Sequence, residues 1–171
     1  MQLKINPFSK SSVQSAIDKL DDYKNSLSTK TARLVKALTD YGYNACIRNV
    51  LSLDVYDSGK LLSSIRTEIK DNGFTGMIVV DCDYAVFIEF GTGIVGKSNS
   101  YIGKAMNEIG YSYGGGSSYI VTADGRIGWY YPTDDGEYRF TEGMPSRPFM
   151  YRTGLDISNA MTSIAKGIFN D

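Results

Sequence analysis

Between Ser11 and Val50 the apolar side chains fall at Val13, Ile17, Leu20, Tyr23, Leu27, Leu34, Leu38, Tyr41 and Ala45. Steps of three, four or seven residues return a side chain to the same side of a 3.6-residue helix. The stretch therefore predicts one long amphipathic helix, or two helices hinged near Ser26-Leu27-Ser28-Thr29. Off the stripe, Lys10, Lys19, Lys24, Lys30 and Lys36 alternate with Asp18, Asp21, Asp22 and Asp40, the pattern of a solvated face. A rod of this length cannot bury its own stripe, so the rest of the chain must supply what packs against it.

Asp57-Ser58-Gly59 offers a cap before KLLSSIRTEI, which reads as a short helix or a helix-to-strand passage with Leu61, Leu62 and Ile65 directed at the same core. In GFTGMIVVDCDYAVFIEFGTG, the runs Met77 to Val80 and Tyr84 to Phe90 are apolar and rich in β-branched and aromatic residues, separated by Asp81-Cys82-Asp83. A parallel crossover needs a dozen or more residues, so two strands joined this closely are expected to form an antiparallel hairpin. Further on, IGWYY and EYRF read as strands joined through Pro132-Thr133-Asp134-Asp135-Gly136, a turn-forming sequence. Pro145 and Pro148 enforce an extended approach to a last amphipathic helix carrying Leu155, Ile157, Ala160, Met161, Ile164, Ala165 and Ile168. The order predicts an α+β fold: a long N-terminal helix or helix pair, antiparallel hairpins forming a small sheet, and a C-terminal amphipathic helix. At 171 residues the chain suits a single domain over 1–171, with 98–118 as a long, flexible Gly- and Tyr-rich insertion. Tyr101 to Ile109 could add a helix there, and Gly114 to Ser118 a mobile loop.

The chain has no histidine, which excludes Ser-His-Asp and Cys-His catalysis and histidine-containing zinc sites. Eighteen Lys and Arg against nineteen Asp and Glu leave a net charge of −1, without the positive field that draws proteins to nucleic-acid backbones. No apolar run approaches the roughly 20 residues of a membrane span, and MQLKINPFSK lacks the apolar centre of a signal peptide, so synthesis in the cytoplasm is expected. Cys46 and Cys82 have neither metal-ligand spacing nor a paired framework and read as two free thiols.

Gly91 to Ser98, GTGIVGKS, satisfies the pattern of a nucleotide phosphate loop, with Lys97 as its cation and MIVVD as a possible magnesium strand. That chemistry requires a parallel strand entering the loop and a helix leaving it. An antiparallel hairpin arm entering the motif has the wrong topology, which leaves a small nucleotide-binding enzyme as the alternative reading. Asp81, Asp83 and Glu89 could form an acid-base or magnesium cluster, but the two aspartates serve a turn more simply. Glu89, amid aromatic residues, is expected to pair with a basic side chain. Asp134-Asp135-Gly136 reads as a turn rather than a calcium loop. No catalytic residue, metal or cofactor is assigned.

Most of the 13 tyrosines and the single tryptophan lie between Tyr84 and Tyr151. Aromatic side chains with polar tips suit protein interfaces, so Trp129, Tyr130 and Tyr131, with Tyr101, Tyr113 and Arg147, are candidate assembly contacts.

DSGKLLSSI, the block YAVFIEFGTGI, then GWYY, DGEYRFTEG and MPSRPFM together resemble, in order and spacing, the minor tail (tail-completion, head–tail joining) protein family of long-tailed double-stranded DNA bacteriophages and prophages. The likeness runs roughly from Asp54 to Ile168. The resemblance marks Tyr84, Phe87, Glu89, Phe90, Gly91, Thr92, Gly93, Pro148, Phe149 and Met150 as motif and core residues, and makes Gly96-Lys97-Ser98 an accidental completion of a phosphate-loop pattern. It implies a virion structural protein of the neck, made in the host bacterial cytoplasm. Its partners would be copies of itself in a ring, expected as a hexamer, with the tail tube protein and the head-connector proteins. The genome would pass through such a ring without sequence-specific contact, and no membrane is involved. Phe87, Phe90 and Phe149 are expected to anchor the core, and Trp129, Tyr130 and the 98–118 loop to become ordered on assembly. The long insertion departs from shorter members of the family.

Overall fold

The computed structural model describes residues 4–54, 59–99, 101–102, 110–111, 113, 119–133 and 135–170. The N-terminal stripe forms one uninterrupted helix, α1 (Lys10–Ser52, 43 residues), so the hinge near Ser26 is not used. Ser9 caps it, its hydroxyl accepting the Ser12 N–H at 3.3 Å. Most of the buried residues of α1 lie in its second half, with Ala16 the exception. The C-terminal helix α5 (Phe149–Phe169) runs back along it antiparallel, from Asn49, whose side-chain amide donates to Asp156 Oδ2 at 3.0 Å and Thr153 Oγ1 at 3.2 Å, to Lys30, which reaches the Phe169 carbonyl at 3.5 Å. At Gly42 a Cβ would lie 2.4 Å from Ile78 and 2.6 Å from Ile157, so α1 lacks a side chain where two neighbours converge.

After α1, a short helix α2 (Lys60–Ser63) leads into β1 (Ile65–Lys70), the expected helix-to-strand passage. Leu61 and Ile65 are buried and Leu62 partly so. The cap expected at Asp57-Ser58 lies outside the described residues; Gly59, at φ +77°, precedes α2 with no side-chain cap. Strand β2 (Thr75–Val80) pairs antiparallel with β1, from Ile65 opposite Val80 to Lys70 opposite Thr75. Between them Asp71, Asn72 and Gly73 take φ of +52°, +55° and +94°, left-handed values that Asp, Asn and Gly tolerate best.

The partner of MIVV is therefore the strand before it, and the hairpin expected across Asp81-Cys82-Asp83 does not form. Tyr84 to Phe90 is instead helical, α3 (Ala85–Phe90), ended by Gly91 at φ +79°. In a helix the run buries Ala85, Ile88, Glu89 and Phe90 together. Spacings of three and four residues meet the interior better here than alternation would. A second short helix, α4 (Gly93–Ser98), follows at once.

The aromatic region forms a separate three-stranded antiparallel sheet of β3 (Ile120–Val121), β4 (Ile127–Pro132) and β5 (Tyr138–Thr141), ordered β3-β4-β5. The β4–β5 hairpin is the one expected from IGWYY and EYRF, with Trp129 opposite Thr141 and Tyr130 opposite Phe140. A two-residue strand, β6 (Gly143–Met144), bridges back to Thr92 and Gly93 before α5. The helix considered over Tyr101 to Ile109 and the loop over Gly114 to Ser118 lie almost wholly outside the described residues. The α+β class holds, with two small antiparallel sheets in place of one.

The core gathers Cys46 and Val50 of α1, Leu61 of α2, Ile65 of β1, Ala85 and Ile88 of α3, and Phe149 of α5. Each large apolar side chain removed from water here contributes about 1.5–3 kcal/mol before entropy is counted.

Candidate functional site: a glycine-rich junction and two exposed apolar surfaces

The first turn of any helix leaves backbone N–H groups without intrahelical acceptors. At α5 they are met from 60 residues upstream. Glu89 is buried at the inner side of α3, and its carboxylate accepts the N–H of Met150 at 2.8 Å and of Tyr151 at 3.0 Å. The basic side chain expected for Glu89 is replaced by a helix N-terminus, whose partial positive charge serves the same end. Burial pushes the Glu89 carboxyl above the ordinary range, against the lowering effect of those N–H groups and of the Tyr101 hydroxyl. Burial first, then the Glu89 charge, pushes Tyr101 up to about 12. Ser146 donates its hydroxyl to the Glu89 carbonyl at 2.6 Å, and the Arg147 N–H donates to the Ile88 carbonyl at 2.9 Å. Pro148 and Phe149 are buried beside them, and Met150 Sδ lies 3.8 Å from the Cys46 thiol. The two blocks YAVFIEFGTG and MPSRPFM thus form one junction in space.

The glycines of GTGIVGKS face this junction. A Cβ on Gly91 would lie 2.6 Å from the Ser146 nitrogen and 2.8 Å from the Met144 carbonyl oxygen. One on Gly93 would lie 2.5 Å from the Glu142 carbonyl oxygen and 2.7 Å from the Trp129 ring, and one on Gly96 2.8 Å from the Gly91 backbone. Thr92 Oγ1 accepts the Met144 N–H at 3.2 Å. These glycines pack directly against the chain's own backbone and the Trp129 ring, with no room for a side chain. A helix, not a strand, leads into the motif, and Lys97 is exposed.

Tyr101 and Tyr113, expected at an assembly surface, are held within the chain. Tyr101 stacks edge-on against Phe90 with ring centres 4.7 Å apart, Tyr111 lies 4.9 Å from the same ring and bonds the Gly91 carbonyl, and the Tyr113 hydroxyl accepts the Tyr101 N–H at 2.9 Å. Trp129 is half-buried over Gly93 and beside Tyr119. Arg147 is half-buried, and the Tyr84 ring lies 5.8 Å from the Lys60 ammonium. Phe90 and Phe149 are anchored as expected, but Phe87 is 46% exposed, because the helical form of YAVFIEF turns it away from the core.

Among the described residues, exposed large apolar side chains gather on α1 and on the aromatic sheet. The first half of α1 carries Val13, Ile17, Leu20, Tyr23 and Leu27, each at least 36% exposed. The β3–β5 sheet exposes Tyr130, Tyr131 and Tyr138. Sequence periodicity identifies the stripe but gives no sign that its first half is the more exposed. No group of three or more potential metal ligands occurs among the described residues, and no helix there is long and apolar enough to cross a membrane.

No protein-family model, curated protein or solved structure matches this chain.

Proposed function

We propose that the chain is a structural subunit of a bacteriophage neck or tail, completing the tail and joining it to the head connector as a ring of identical copies, expected as a hexamer. The observation that carries the reading is the junction of Glu89 with the N-terminus of α5. The two blocks that most strongly carry the resemblance, 60 residues apart, meet there as one unit. Exposed apolar stripes and aromatic faces on a small chain are what subunit interfaces use, and closed rings bury such surfaces against neighbouring copies. On this reading the chain works by binding, with Tyr130 and Tyr131 among its contacts, the tail tube and connector proteins as neighbours, and the virion as its place of action.

Electron microscopy of particles from a producer strain lacking this gene tests the reading. Full heads beside unattached or abnormally long tails are expected. Normally joined particles would overturn it.

A further inference from the structure

The first half of α1 extends the same apolar stripe that α5 covers on the second half, and over roughly 30 Å of helix Val13, Ile17, Leu20, Tyr23 and Leu27 stay exposed, although Ala16 is buried. Helical geometry places Lys24 between Leu20 and Leu27, inside the stripe rather than off it, while Asp18 and Asp22 fall on the opposite side. Segment 4–30 has five lysines against three aspartates, a net charge of +2. The aromatic arm, 119–142, has five carboxylates against two arginines, a net charge of −3. Its arginines are engaged within the arm, Arg126 with Asp124 at 2.8 Å and Arg139 with Asp135 at 3.2 Å. Strand alternation puts Tyr130, Phe140 and Tyr138 on the face away from Trp129, and it is Trp129 that meets α4. The opposite face leaves Tyr130 53% and Tyr138 70% exposed, while Phe140 between them is half-buried with the Arg126 guanidinium 5.0 Å over its ring.

We infer that the free half of α1 docks on the Tyr130–Tyr138 face of the aromatic arm of a second copy of this chain, through the stripe centred on Leu20. The contact joins unlike surfaces of opposite net charge, so each copy uses one surface to hold its neighbour and the other to be held. Such head-to-tail contacts close into rings when the rotation permits. Pairing two α1 stripes instead would set Lys24 against Lys24 in parallel, or Lys10 beside Lys30 at both ends in antiparallel, and would leave the arm uncovered. The inference rests on the self-assembly in the proposed function, not on the position in the particle.

The test uses full-length protein with Cys82→Ser, divided into a tagged Leu20→Cys form and an untagged Tyr130→Cys form, co-expressed and then oxidised. A disulfide between the two forms is expected, with severalfold lower yield when Lys24→Glu is added to the first. Leu20→Cys pairs alone, no disulfide, or a yield indifferent to Lys24→Glu would overturn the contact. If the gene deletion separates heads from tails while no mixed disulfide forms, the neck reading stands and this interface fails; a mixed disulfide with normally joined particles gives the reverse.

Discussion

Glu89 holds the N-terminus of α5 by accepting the Met150 N–H at 2.8 Å, a bond across 61 positions of sequence that ties α3 to the helix packed along α1. With Tyr151 donating to the other oxygen, the carboxylate substitutes for the missing side-chain cap of α5. Replacing it with alanine strands two part-buried donors, each costing about 1–3 kcal/mol. Glu89→Ala is expected to lower unfolding free energy by at least about 2 kcal/mol in denaturant titration.

The same carboxyl sets a pH dependence. Its folded-state pKa is raised above the ordinary value of 4.5, chiefly by burial. Protons are then held more tightly in the folded chain, so this contribution to stability is fully present below the ordinary value and is lost as pH rises through the raised one. The stability of the wild type minus that of Glu89→Gln, followed by urea denaturation across that window, should fall with rising pH. A difference that stays flat or rises refutes the assignment.

Phe149 is 1% exposed and Phe87 46%. Truncating the first removes a filled core position, and Phe149→Ala should cost about 3–5 kcal/mol. Phe87→Ala should stay within about 0.5 kcal/mol. Thermal or chemical unfolding of the two variants separates a residue that builds the core from a motif neighbour that only accompanies it.

Gly93→Ala forces a Cβ to within 2.5 Å of the Glu142 carbonyl oxygen at a residue with φ +64°. The backbone on both sides must move, and a loss above about 1 kcal/mol is expected. Lys97→Ala, on the exposed side of α4, should leave stability unchanged. Calorimetry with Mg-ATP should give no Lys97-dependent heat; a heat that disappears in Lys97→Ala would restore the nucleotide reading.

Cys46 is buried, and desolvation pushes its thiol up to about 11, leaving almost no thiolate at neutral pH. Cys82 is half-buried near the surface. Iodoacetamide on the native protein should modify Cys82 and spare Cys46, with the second equivalent taken up only after unfolding, as read by intact mass.

The 3.6-residue stripe of α1 was legible because its pattern runs through many turns, and the β4–β5 hairpin because its connecting turn carries Pro, Asp and Gly. YAVFIEF reads from sequence as a strand but is helical: six apolar residues around Glu89 fit either period, and only contacts with α5 and the core select the helix. Glu89 was visible as an anomaly, but its partners are main-chain groups, which no side-chain pattern reports. The glycines of GTGIVGKS matched a ligand-binding pattern because the same absence of a Cβ that admits phosphate also admits the chain's own backbone.

Between Lys10 and Tyr41 α1 contains neither glycine nor proline, so that stretch lacks the residues that most sharply kink a helix. Its tip is therefore steered from the far end: a rotation of one degree at the α5 contact displaces a point roughly 50 Å along the rod by a little under about 1 Å. Such a strut sets distance as well as contact, and two bodies attached at its ends would be held at a separation fixed by the number of helical turns between them.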